Sequence, residues 1–207
     1  MPSLPPITQA LLLINVGLFA LDVLLGGLLS RWFALWPIGV GFLPWQVVSY
    51  AFLHAGLLHL AFNMLALWMF GGEMERLWGP RRYMQFYAVS LLTAAVAQLI
   101  VAPMFGVRAP TVGASGAILG LLVGYAMMFP DRKILLLIPP VPIKAKWLVV
   151  IYAVISIYVL LPPAVPGVGM LSYLAGNAAH LAHLGGMLGG FLMIRYWRRQ
   201  PPFARRR

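Results

Sequence analysis

The chain has 207 residues, 62% of them hydrophobic and only 9% charged, a makeup that excludes an ordinary water-soluble domain. Fifteen Lys and Arg stand against four acids, giving a formal net charge of +11; nucleic acid, anionic lipid and polytopic membrane orientation all remain open until positions are considered. There is no Cys, so disulfides and thiolate metal sites are excluded.

Met1 to Gln9 carries no Lys or Arg ahead of its apolar run, so the start does not read as a cleavable signal peptide and the first apolar stretch is expected to remain as a helix. Crossing a bilayer takes roughly 20 apolar residues. Six segments come close: Ile7 to Leu29, Leu57 to Phe70, Tyr83 to Val101, Ser115 to Phe129, Lys146 to Leu161 and Ala178 to Ile194. Between the first two, Ser30 to Gly56 is broken by Gly and Pro but holds Trp32, Phe33, Trp36, Phe42 and Trp45, the pattern of a segment lying in the membrane interface. The expectation is one all-α polytopic domain over residues 1–207, with its core at about 44–195 and a basic tail at 196–207.

Placing the N-terminus in the cytoplasm puts Gly71 to Arg82, Pro130 to Lys146 and the tail from Arg195 inside. Those stretches hold 13 of the 15 basic residues, leaving Arg31 and Arg108 outside, so the positive-inside rule selects this orientation. The charge is topological: the tail residues Arg195, Arg198, Arg199 and Arg205 to Arg207 belong at lipid headgroups, and no nucleic-acid partner is expected.

Polar residues at membrane depth are functional candidates. Counting from the charged ends, Ser115 lies about 14 residues, roughly 21 Å, above the cytoplasmic side; His183 lies at roughly 18 Å and His59 at roughly 21 Å. Three segments thus place a hydroxyl and two imidazoles at one level. Gly116, Gly120 and Gly124 on the fourth segment, and Gly185, Gly186, Gly189 and Gly190 on the sixth, form small-xxx-small faces that favour close helix contact. Gly116 adjoins Ser115, and Gly186 lies one turn below His183.

A serine hydroxyl becomes an effective nucleophile when a base within hydrogen-bond reach takes its proton, and His183 is that base. The acids are Asp22, Glu73, Glu75 and Asp131, the last three on the cytoplasmic side, which points to a Ser-His dyad instead of a triad. Asp22 is read as satisfied within the bundle. His59 and Asn63, at i and i+4, share a helix face and with the Ser115 backbone N–H could form an oxyanion hole. His54 and His180 are read as loop residues outside the catalytic set.

Gly113-Ala114-Ser115-Gly116, Ala182-His183-x-x-Gly186-x-x-x-Gly190, the set His54, His59 and Asn63, and Glu75-x-x-x-Gly79 together resemble the rhomboid intramembrane proteases, from about Pro44 to Arg195. The resemblance implies a six-helix rhomboid-like bundle with a short central helix four. It also implies a Ser-His dyad in a water-filled cavity open to the outer side, and substrates that are transmembrane segments of other proteins, reaching the site from the lipid. No cofactor, metal or obligate protein partner is implied, and a bacterial inner membrane with both termini cytoplasmic is the expected setting. The chain departs from the family at two places. Gln46 follows Trp45 where the family often has Arg, and Leu119 stands four residues after the serine where an aromatic residue is frequent. Two rival readings stay open: a non-catalytic rhomboid-like client-binding protein, and a haem or metal protein ligated by His59 and His183.

Overall fold

The computed structural model describes residues 3–106, 108–136, 140–161, 165–168 and 180–198. It is helical apart from one two-stranded hairpin in the described residues. Helix α1 (Pro6–Leu24) opens with Pro at its first position, where a missing N–H costs nothing. It stops earlier than the apolar run predicts because Gly26 and Gly27 adopt φ of 64° and 84°, and the chain turns into the short α2 (Leu28–Phe33). Asp22 holds that turn: its carboxylate accepts hydrogen bonds from the backbone N–H groups of Leu29 (2.8 Å) and Ser30 (3.1 Å) and from the Ser30 hydroxyl, the first-turn donors that a helix leaves unpaired.

The interfacial segment is organised around Gln46, which opens the one-turn α3 (Gln46–Ser49) and is fully buried. Its Oε1 accepts from Trp36 N (3.1 Å) and Leu43 N (3.2 Å), and its Nε2 donates to Trp32 O (3.1 Å) and Gly41 O (3.3 Å). A neutral amide with both donors and both lone pairs used anchors this loop with no charge to bury.

Helix α4 runs through Leu57–Trp78, past the end at Phe70 that apolarity alone predicts. A π-helical turn at Leu67–Gly71 carries it on, and Glu75 is tolerated inside because it binds the start of α1: it accepts from Ile7 N (2.9 Å), Thr8 N (2.7 Å) and Thr8 Oγ1 (2.8 Å). An anion at a helix N-terminus is favourable both as a cap and against the macrodipole. The expected turn from Gly71 to Arg82 therefore shrinks to Gly79, at φ 76°, and α5 (Pro80–Val101) begins at once with Pro.

Helix α6 (Ser115–Met128) is buried from Gly116 through Ala126, the central position in the bundle. After it, Lys133–Leu135 and Pro142–Lys144 pair antiparallel with Ile134 opposite Ile143. Helix α7 (Ala145–Tyr158) and helix α8 (His180–Trp197) complete the bundle. Ala178 and Ala179, placed in the sixth segment, and residues 199–207 of the tail lie outside the described residues.

Three helices, Pro6–Leu24, Leu57–Trp78 and Pro80–Phe105, are long and apolar enough to cross a membrane, and Ser115–Met128 and Ala145–Tyr158 are shorter apolar helices. The glycine faces explain how α8 docks. A Cβ on Gly186 would stand 2.0 Å from the Gly116 carbonyl oxygen, and one on Gly190 would stand 2.6 Å from that of Gly120. On the adjacent face, Cβ atoms on Gly185 and Gly189 would strike Ala97 Cβ (2.5 Å) and Thr93 Oγ1 (2.0 Å) of α5. Hydrogen at these four positions lets α8 lie backbone to backbone against two neighbours, where dispersion is the main attraction available in lipid.

Candidate active site

Ser115 is the first residue of α6, and the chain before it is tightly tied. Thr111 pairs with Leu35 in an isolated bridge, and Gly113 N donates to Tyr50 O at 2.9 Å. Tyr50 in turn donates its hydroxyl to Leu91 O of α5 at 2.9 Å. Gly113 has φ 125°, a conformation that side chains disfavour. A Cβ there would also lie 2.8 Å from His59 Cε1, 2.9 Å from His59 Nε2 and 3.6 Å from Ser115 Oγ. The missing side chain at 113 is what gives the His59 ring its room here, two residues before Ser115.

His183 lies in the first turn of α8, one turn from Gly186. The Gly186–Gly116 contact brings this level of α8 against the start of α6, and the Ser115 Oγ to His183 Nε2 distance is 2.7 Å, the usual length for a hydroxyl hydrogen bond. Both residues are half-buried, so the pair is accessible from one side. The His183 Nδ1 atom is buried and has no hydrogen-bond partner among the described residues.

The four carboxylates are all engaged elsewhere. Asp22 caps α2, Glu75 caps α1, Glu73 pairs with Arg132, and Asp131 pairs with Lys144 (3.2 Å) and Lys146 (2.8 Å). None touches His183, so the arrangement is a pair and not a triad.

On α4, His59 and Asn63 lie on the side facing the start of α6. His59 Nδ1 accepts from Ala55 N at 3.4 Å, which assigns the proton of the neutral ring to Nε2, on the edge of the ring that borders Gly113. Asn63 is buried and uses one amide proton on the His59 carbonyl at 3.0 Å, leaving its second proton for another acceptor. The Ser115 N–H precedes the first intrahelical bond of α6, from Ile118 N to Ala114 O at 3.0 Å, and belongs to the set of donors that a helix start presents to an anion.

His54 lies in a loop, as the sequence pointed to, whereas His180 opens α8, and both are buried. They are 4% and 5% exposed and pack edge-on against His59 (5.1 Å between centroids) and His183 (5.7 Å). Sequence reasoning missed Tyr152 of α7, whose ring meets that of His183 at 6.2 Å and 68°; nothing in its surroundings sets it apart from other aromatic residues on lipid-facing helices.

A helical membrane bundle with a serine and a histidine from two glycine-packed helices, joined by one hydrogen bond, defines the class of protein. Residues 42–200 match the rhomboid domain family, and the chain belongs to that family. It is 32% identical over 148 residues to rhomboid protease GluP of Bacillus subtilis (strain 168), covering 71% of this chain and 25% of that one. Identity to rhomboid protease GlpG of Klebsiella pneumoniae (strain 342) is 33% over 130 residues, covering 61% and 45%. Identity to GlpG of Yersinia pestis (strain Pestoides F) is 27% over 199 residues, covering 93% and 62%. The chain therefore spans between a quarter and under two thirds of the length of these relatives, and it is an integral membrane protein.

Proposed function

We propose that this protein is an intramembrane serine endopeptidase that cuts transmembrane segments of other proteins, with Ser115 as nucleophile and His183 as general base. The single observation that carries the reading is the 2.7 Å approach of Ser115 Oγ to His183 Nε2. As Oγ attacks the scissile carbonyl, its proton passes to Nε2. The oxyanion that forms is met by the Ser115 N–H, the free Asn63 amide proton and His59 Nε2–H, a neutral donor set preorganised where charge develops. His183 then gives its proton to the departing amine, leaving an acyl-serine. Water attacks that ester, His183 takes its proton, and return of the proton to Oγ restores the pair. Half-burial of both residues supports a site that excludes bulk water yet admits the hydrolytic molecule.

The 13 basic residues assigned to one side support cytoplasmic termini, and the relatives in Bacillus, Klebsiella and Yersinia support a bacterial cell membrane. In this setting the lipid bilayer and single-pass membrane proteins are the partners. The decisive experiment is active-site labelling with a fluorophosphonate in detergent, together with cleavage of a single-pass substrate in liposomes. Parent protein is expected to label at Ser115 and to cleave, and Ser115→Ala and His183→Ala to do neither while remaining folded. Cleavage by Ser115→Ala at the parent rate would refute the proposal.

A further inference from the structure

An imidazole that must aim Nε2 at a hydroxyl needs its ring plane held, because the χ2 torsion of histidine is broad. In a triad a carboxylate does this by accepting from Nδ1–H. Here every carboxylate is committed elsewhere, and His183 Nδ1 has no hydrogen-bond partner among the described residues. Leu119, one turn along α6 from Ser115, is buried but aliphatic and offers no aromatic contact. The ring of His183 is met instead by two others. His180 touches it at 5.7 Å and 83° but rides on the same helix. Tyr152 comes from α7 and meets it at 6.2 Å and 68°, within the range of favourable edge-to-face pairs. Among the described residues the Tyr152 hydroxyl has no hydrogen-bond partner, and the residue is 40% exposed, so the contact with His183 is made by the ring itself.

We infer that Tyr152 is a positioning residue for His183, holding the imidazole plane by ring packing from a separate helix in the place that a triad gives to an acid. The inference rests on the Ser115–His183 reading above. Because α7 carries the ring, the orientation of the base is tied to where α7 sits.

The test is the rate of Ser115 labelling by a small fluorophosphonate, measured for parent, Tyr152→Phe, Tyr152→Leu and Tyr152→Met, with thermal unfolding recorded for each. The small probe needs no passage for a transmembrane segment, so an effect on substrate access does not register. Tyr152→Leu and Tyr152→Met are expected to label roughly 3- to 10-fold more slowly, the range that one edge-to-face contact is worth; Tyr152→Phe should label like the parent. With a peptide substrate, the loss should fall on kcat and leave KM unchanged. Parent-like labelling by folded Leu and Met variants would overturn the inference, as would a Phe variant as slow as Leu, since the hydroxyl and not the ring would then be at work. Failure of the parent itself to label would sink the Ser115 nucleophile instead, a result distinguishable from the other two.

Discussion

Gly186→Ala probes the link from backbone packing to chemistry. The added Cβ would lie 2.0 Å from the Gly116 carbonyl oxygen and 2.5 Å from its carbonyl carbon. These are backbone atoms that cannot rotate away, and Cβ atoms essentially never approach closer than 3.0 Å. Close-packed interiors do not absorb such an overlap by compression, so α6 and α8 must part by about 1 Å at that level. Gly116 adjoins Ser115, and Gly186 is one turn from His183, so most of the parting reaches the 2.7 Å Oγ–Nε2 pair and stretches it toward about 3.7 Å, beyond hydrogen-bonding range. A 1 Å misplacement of catalytic groups costs on the order of 100-fold. The assay is initial cleavage rate in liposomes beside fluorophosphonate labelling in detergent, with thermal unfolding to confirm that the variant is folded. Gly190→Ala, whose Cβ would meet Gly120 O at the milder 2.6 Å one turn farther away, should lose less than about 10-fold on the same reasoning. Gly17→Ala, with nothing within 4 Å of its added Cβ, should match the parent. Folded Gly186→Ala protein cleaving within threefold of the parent would refute the argument.

His59→Ala and Asn63→Ala should each slow cleavage by roughly 10- to 1,000-fold, the range of a lost oxyanion donor, with little change in thermal stability; unaltered turnover would remove that residue from the oxyanion hole. Glu75→Ala leaves the Ile7 and Thr8 N–H groups without their acceptor and should lower stability by about 2–3 kcal/mol, read from denaturant unfolding in micelles; an unmoved midpoint would show that α1 docks without this cap. The Asp131 carboxyl is held below the usual carboxylate range first by hydrogen bonds from Lys146 and Lys144, then by their charge. A depressed folded-state value contributes stability that is present above the unfolded value and lost as pH falls through the folded one. The melting difference between parent and Asp131→Asn should therefore be constant near neutral pH and shrink below 3.8. Because the ion pair is exposed, the difference should be small, and one that grew with acid would contradict the sign.

Several features of this protein follow from the sequence by itself. Apolar length, the gathering of the basic residues into three stretches and the spacing of Ser115 and His183 from the charged helix ends depend on counting along single helices at a fixed rise, which needs no knowledge of partners. The glycine spacing on α6 and α8 is likewise a one-dimensional pattern, and it correctly pointed to the faces that meet. The scarcity of acids pointed to a dyad before any contact was known. Only tertiary structure could decide the rest, because it depends on what lies across from a residue in another part of the chain. Glu75 falls in the cytoplasmic turn by sequence and proves to be buried in a helix, because the start of α1, 67 residues away, supplies its donors. Gln46 replaced a charge with four backbone hydrogen bonds drawn from a loop whose path no local pattern specifies. Ser115 and His183 were legible as a pair, yet the ring of Tyr152 beside the base was not, since an aromatic residue on a lipid-facing helix has no periodicity that distinguishes packing against lipid from packing against the imidazole of a neighbouring helix.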